Sequence, residues 1–308
     1  MNSEKTKNPD LQLVSIVLIT FNSAEYITET LDSAKNQTYK NIELIIADDC
    51  STDSTICICE KWLEVNAKYF VNNKIIRSLK NGGIAANCNL GIEAASGSWL
   101  KLCAGDDILL DNCIEKNIDF SKLNSDASIF ISNMNVFIDK DNQRKIIETR
   151  KPKNSIIWSN NVSINEQYQS ALKEYFGNTP TFFINSIVFK KLKFDENFPF
   201  VEDYGFALNA LKSDFKILYK NEITVLYRQH SNSISFANSK VLYNSFYLKT
   251  REFDMVYRDP FLTKRIKMRE NYEFNRKKML IKLNLNHNNL FCRIINSASI
   301  RLNPYLYF

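Results

Sequence analysis

The chain has 308 residues, with 44% hydrophobic and 24% charged side chains, the composition of a folded protein able to bury a substantial core. No stretch approaches the roughly 20 uncharged apolar residues needed to cross a bilayer, and the polar start MNSEKTKNPD carries no secretory apolar region, so a cytoplasmic location is expected. Seven cysteines without a paired CxxC set argue against zinc or a disulfide framework, and two histidines, His230 and His287, exclude a histidine-rich metal centre.

Residues 13–21, LVSIVLITF, form a continuous β-prone run that suits a parallel strand buried on both faces. The segment YITETLDSAKNQ follows, with Ile27, Leu31 and Ala34 at helical spacing. IELIIA, 42–47, is a second buried strand ending in Asp48-Asp49. A helix from Thr55 to about Asn66, where Cys57 and Cys59 act as small hydrophobes, and a short strand KIIRSL come next. IAANCNLGIEAA predicts a helix leading into a fourth strand, SWLKLCA. This alternation predicts a doubly wound, mostly parallel α/β sheet.

Beyond it, LDNCIEKNIDF predicts a helix capped by Asp111, and ASIFISNMNVFID predicts a strand. Residues 139–165 are polar and predict an irregular loop. NEQYQSALKEYF is helical, TFFINSIVFKK is strand-like, and DYGFALNALKS is a helix entered through Val201-Glu202-Asp203. ITVLYR is a last strand running into Gln229-His230.

The polar clusters Thr20-Phe21-Asn22, Asp48-Asp49, Asp106-Asp107, Glu202-Asp203 and Arg228-Gln229-His230 all fall at or near strand ends. In open α/β sheets, ligand sites form outside the carboxyl ends of the strands. Carboxylates gathered in one cleft repel one another unless a cation joins them. Oxygen-rich sites of this kind suit Mg2+ or Mn2+ shared with substrate phosphates. No GxGxxG follows the first strand, and there is neither a GxxxxGK[ST] loop nor a GxSxG elbow, which argues against dinucleotide, P-loop and serine-hydrolase chemistry.

The ordered segments VSIVLITFN, IELIIADDCSTD, NGGIAANCNLGIEAASGSWLKLCAGDDIL, FVEDYGFAL and YRQHSNSIS resemble inverting family-2 glycosyltransferases of the GT-A fold, of the bacterial surface-polysaccharide type. The resemblance covers roughly residues 13–235. It implies a nucleotide-sugar-binding half, 13–110, and an acceptor half, 111–235, preceded by a polar tail, 1–12. It also implies transfer of a sugar from a nucleotide diphosphate sugar, a UDP-sugar above all, to a hydroxyl of a glycan or lipid-linked glycan. In that comparison Thr20 and Asn22 lie against the nucleoside, Asp48 contacts the base and Asp49 is its neighbour. Asp106 coordinates Mn2+ or Mg2+ bridging the diphosphate, Asp107 follows it, and His230 is a further metal or diphosphate ligand. Asp203 is the catalytic base, with Glu202 as an acceptor-side contact.

Two positions depart from the family pattern. Ala104 stands where the metal motif usually begins with Asp, and Cys88 stands where Arg often precedes Asn89. Lys80, Lys101 or Arg228 could supply the missing cation. Two alternatives carry different predictions: a sugar-phosphate nucleotidyltransferase would want a Gly-rich basic phosphate loop that LITFNSAEY lacks, and a nucleotide-sugar-binding protein inactivated at Ala104 would bind without turnover.

The net charge of +6 is uneven. Residues 236–308 hold 14 Lys/Arg against 5 Asp/Glu, leaving the preceding part slightly acidic. This region reads as mainly helical, basic and aromatic-rich. Two readings stand: a solvated helical appendage packing on the catalytic domain, or a basic amphipathic surface held peripherally on an anionic membrane. Nucleic acid is disfavoured because no recognition motif is present.

Overall fold

The computed structural model describes residues 11–141, 143–174, 177–198, 201–230, 241–243 and 245–305. The tail before residue 11, the Ser231–Ser235 end of the last motif and Tyr175-Phe176 lie outside the described residues. Two compact units divide the chain, Met1–His230 and Ser231–Phe308.

In the first unit, β1 (Val14–Thr20), β2 (Ile42–Asp48), β3 (Asn72–Arg77) and β4 (Trp99–Ala104) alternate with α1 (Ile27–Lys35), α2 (Thr55–Asn66) and α3 (Ile84–Ala94). The strands form a parallel sheet in the order 3-2-1-4. Every residue of β2 is buried, as is all of β1 except the half-buried Ile19, which explains why both read as unbroken apolar runs. Ile16, Leu18, Leu44 and Ile46 share one core with Leu31, Cys59 and Trp62 of α1 and α2. On the opposite face α3 lies so close that a Cβ on Gly91 would stand 2.4 Å from Val17 Cγ1.

The sheet continues through β8 (Phe183–Asn185), β6 (Ile129–Lys140), β9 (Ile217–Arg228) and the short β5 (Ile108–Leu109), with β7 (Gln143–Arg150) on β6. This half is mixed: β8 runs antiparallel to β4 and β6, whereas β6 and β9 are parallel. Trp99 joins the halves, stacked on Phe183 at 4.9 Å and on Phe130 at 5.2 Å. The remaining helices are α4 (Cys113–Leu123), α5 (Ile164–Lys173), α6 (Ser186–Phe189) and α7 (Glu202–Lys212).

Three local expectations differ from the structure. Residues 139–165 are not wholly irregular, because Gln143–Arg150 pairs with β6 as an exposed edge strand. Its charged side chains face water on both sides, so no apolar alternation marks it. TFFINSIVFKK stops as a strand at Asn185, whose side chain accepts from the Ile187 N–H and starts α6. The residue preceding α4 is Asn112, not Asp111; the Asp111 carbonyl accepts from the Thr38 N–H instead.

The second unit contains α8 (Ser245–Tyr257), α9 (Lys264–Lys282) and α10 (Leu290–Arg301). Arg251 forks onto Asp259 at 2.8 and 2.6 Å, and Arg276 ties α9 to Asn296 and Ser299 of α10. Among the described residues no helix is long and apolar enough to cross a membrane.

Candidate active site

Strand register brings the clusters after β1, β2 and β4 to one edge, whereas Glu202-Asp203 opens a helix rather than ending a strand. Thr20 pairs with Asp48, Asp48 with Arg77, and Ile19 with Ala104, so β1 to β4 end together. Asn22, in the left-handed region at φ 49°, turns the chain out of β1. Its Oδ1 accepts from the Thr52 N–H at 2.8 Å, and its own N–H donates to Ser51 Oγ at 2.8 Å. Asn22 thereby laces the loop after β1 to the loop after β2 while remaining exposed.

Asp48, expected against the base, is enclosed at the end of β2. Its side chain is 0% exposed, and it accepts from the Ser51 N–H and Oγ–H while Arg77 Nε lies 3.5 Å away. Asp49 is also enclosed, its two oxygens accepting from the Gly82 and Gly83 N–H groups, each at 2.8 Å. Both carboxylates therefore shape loops that carry other residues. Thr20 is buried too, with Oγ1 enclosed beside Gly105, where an added Cβ would stand 2.8 Å from it.

At the end of β4 the two aspartates divide. Asp106 keeps 28% of its side chain exposed, and its Oδ2 lies 3.0 Å from His230 Nε2. Asp107 turns inward and accepts from the Arg228 N–H at 3.0 Å. Burial and the neighbouring Asp106 charge push its carboxyl well above the usual carboxylate range. Asp107 is thus enclosed, whereas Asp106 beside it is partly exposed.

Glu202 and Asp203 open α7, where negative charge suits a helix N-terminus. Asp203 Oδ1 accepts from the Tyr204 N–H at 2.7 Å. Glu202 Oε2 is enclosed, and burial, then the Asp203 charge, pushes its pKa up to about 8. Cys88 lies within electrostatic reach of both acids, and burial first, then their charges, raises its thiol. Asn89 beside it is bonded to Phe194 and Glu196, anchoring the segment that leads toward α7.

Of the three cations weighed from the sequence, two are engaged internally. Lys101 is fully buried and donates to the Leu102 and Pro180 carbonyls. Arg228 is buried among partners described below. Lys80 stands exposed before α3. Sequence reasoning missed Arg77, which donates from Nη2 to the Ser51 carbonyl at 2.9 Å with 54% of its side chain exposed. It also missed Tyr26, whose ring lies 4.8 Å from that of His230. Neither carried a signal, since one ends an ordinary strand and the other precedes an ordinary helix.

Among the described residues no three His, Cys, Asp or Glu side chains form a ready-made metal cage. One partly exposed carboxylate with an adjacent imidazole fits a divalent cation whose remaining ligands are substrate phosphates and water.

Loops gathered at the carboxyl ends of a 3-2-1-4 sheet place the chain among α/β proteins that bind ligands at that edge. Residues 15–192 match the family described as Glycosyl transferase family 2, and the chain belongs to that family. It is a glycosyltransferase, which sets aside the nucleotidyltransferase alternative. Among similar proteins is the UDP-Glc:alpha-D-GlcNAc-diphosphoundecaprenol beta-1,3-glucosyltransferase WfaP of Escherichia coli. The two are 31% identical over 237 residues, 75% of this chain and 83% of that protein. Two solved structures show the GT-A fold. S. aureus TarS 1-349 in complex with UDP-GlcNAc has a TM-score of 0.58 at 21% identity, covering 85% of this chain and 71% of that one. The mannosyltransferase PcManGT from Pyrobaculum calidifontis, in complex with GDP-Man and Mn2+, has a TM-score of 0.54 at 13% identity, covering 72% and 58%.

Proposed function

We propose that this glycosyltransferase moves a sugar from a UDP-sugar to a hydroxyl of a lipid-linked glycan, with inversion, in surface-polysaccharide assembly. The carrying observation is the Asp106–His230 pair, 3.0 Å apart and partly exposed at the sheet edge where Asn22 also stands. TarS is described with UDP-GlcNAc, and WfaP is named for a UDP-Glc donor and a diphosphoundecaprenol-linked acceptor, which supports the donor and acceptor class.

Asp106 and His230 would hold Mn2+ or Mg2+ together with the donor's phosphates, and a cation there would stabilise charge on the departing diphosphate. Asn22 and Arg77 line the nucleoside side. Thr20, Asp48, Asp49 and Asp107 act through the loops they hold. Lys80 is the cation available to the diphosphate in place of the family's Arg. Asp203 takes the proton from the acceptor hydroxyl as that oxygen attacks the anomeric carbon. Glu202, neutral at pH 7 with a pKa of about 8, adds no second charge and leaves the anionic role to Asp203.

The C-terminal unit supplies the membrane contact. Leu290, Phe291, Ile294 and Leu302 are exposed at helical spacing on and just past α10, which carries Arg293 and Arg301 and no acid. Basic charge around an apolar stripe suits an anionic bilayer surface. The test of function is thermal stabilisation by a panel of UDP-, GDP- and dTDP-sugars with Mn2+ present. Selective stabilisation by a UDP-sugar is expected, and none by any sugar would overturn the reading. For the membrane contact, co-sedimentation with phosphatidylglycerol-containing vesicles should be lost in a Phe291→Glu/Ile294→Glu variant. Equal sedimentation of that variant refutes the contact.

A further inference from the structure

Arg228 is an unusual residue to find at the end of β9. Its side chain is 3% exposed, yet it carries a full charge. An unpaired buried guanidinium would cost several kcal/mol, so its partners explain why it is tolerated. Nη1 pairs with Asp139 and Nη2 with Glu29, both half-exposed carboxylates. Glu29 also pairs with Arg144 through its other oxygen. The guanidinium carbon lies 4.7 Å from the centre of the Tyr26 ring and 4.6 Å from that of Phe137, so two aromatic rings contact it.

What this clamp holds lies at the metal pair. Arg228 Nε donates to the Asp106 carbonyl at 2.9 Å, and the Arg228 backbone N–H donates to Asp107 Oδ1 at 3.0 Å. One residue thus grips both halves of the Asp106-Asp107 turn. Tyr26, against the guanidinium, also packs on His230 at 4.8 Å. One residue, Gln229, separates Arg228 from His230 along the chain, but the physical link runs through the Tyr26 ring.

We propose that Arg228 is a positioning residue that, together with Tyr26, fixes the Asp106 carboxylate and the His230 imidazole in the geometry that receives a divalent cation. The proposal rests on the metal-diphosphate reading of that pair. Lysine cannot replace it, because a single ammonium reaches neither the three separate acceptors nor the flat stacking contact that the planar fork provides. Groups that orient metal ligands in this way typically alter metal affinity by roughly 10–100-fold when removed.

The chain's two histidines make the test direct, since imidazole NMR signals of His230 and His287 are resolved by comparison with His230→Gln. Full-length protein, Arg228→Lys and a Glu29→Gln/Asp139→Asn variant are compared without metal, then titrated with Mn2+ in the presence of UDP. The double variant loosens the fork from its half-exposed side and keeps the test alive where Arg228→Lys does not fold. Without metal, the His230 signal should shift in the variants while that of His287 stays in place. With UDP, Mn2+ should broaden His230 in the wild type at low concentration, and in the variants at roughly tenfold higher concentration. A wild-type His230 shift together with a wild-type Mn2+ midpoint in the folded variants overturns the proposal. If Mn2+ leaves His230 sharp in the wild type, the metal reading falls, and the metal-free shifts still decide whether Arg228 positions the ring.

Discussion

Replacing Glu202 with Gln should change stability in a pH-dependent way whose sign follows from burial. The carboxyl has a folded pKa of about 8 against an ordinary 4.5, the result of burial first and the Asp203 charge second. A raised carboxyl pKa means the unfolded chain ionises this group more readily than the folded protein does. The resulting penalty on folding is absent below pH 4.5, grows as pH rises towards 8, and levels off above it. Between pH 5 and pH 9 it amounts to roughly 2–4 kcal/mol once solvent access to the partly buried side chain is allowed for. Gln keeps the shape and never ionises, so it escapes the penalty. Thermal unfolding of Glu202→Gln against wild type should therefore show a gain at pH 9 that exceeds the gain at pH 5 by roughly 5–10 °C. In an Asp203→Asn background the excess should shrink, because one cause of the shift has been removed. An equal difference at both pH values would refute the claim that Glu202 is held neutral.

Asp203→Asn should lower transfer by roughly 100-fold or more while leaving UDP affinity by calorimetry unchanged, and wild-type turnover would reject Asp203 as the base. Asp106→Ala should weaken UDP binding only when Mn2+ is present; an equal loss with and without metal would assign Asp106 to a direct nucleotide contact instead. Gly105→Ala would bring a Cβ to 2.8 Å from Thr20 Oγ1 and 3.1 Å from Ser23 Oγ, inside enclosed packing. It should destabilise the protein by about 1–3 kcal/mol, and an unchanged unfolding midpoint would mean that the β1 loop yields freely.

The first half of the fold was legible because its signals are strong and local. β1 and β2 are enclosed on both faces, so their apolar runs are continuous and the helices between them keep clear spacing. The second half was harder for physical reasons. β7 is an edge strand with no buried face, and β8 has only three residues before Asn185 begins a helix. Burial there is decided by partners distant in sequence, which no local pattern records. The acidic pairs after β2 and β4 were legible as clusters at strand ends, whereas Glu202-Asp203 opens a helix. The supporting residues of the site were not legible, because the roles of Tyr26, Arg77 and Arg228 arise only where separate loops meet.

The two Asp-Asp pairs make the limit concrete. Both follow a parallel strand as an Asp-Asp pair. After β2 the chain turns so that both carboxylates point inward, Asp48 to Ser51 and Arg77, Asp49 to the Gly82 and Gly83 amides. After β4 the turn closes through the Asp107 N–H to the Ala104 carbonyl at 3.1 Å, which sends Asp106 outward and Asp107 inward. The difference lies in what each loop must hold. The β2 loop is laced to its neighbours by backbone amides, and carboxylates are the strongest acceptors for them. The β4 turn is already held by Arg228, which occupies the Asp106 carbonyl and the Asp107 side chain and so leaves one carboxylate free to face solvent. A third acid at Ala104 would place another charge beside a pair in which Asp107 is already pushed toward its neutral form. Alanine at that position therefore relieves repulsion in the metal-free protein, and Ala104→Asp should lower the metal-free unfolding temperature and regain part of it on adding Mn2+ with UDP. A variant that is equally stable without metal would mean that residue 104 lies outside the electrostatic reach of the pair.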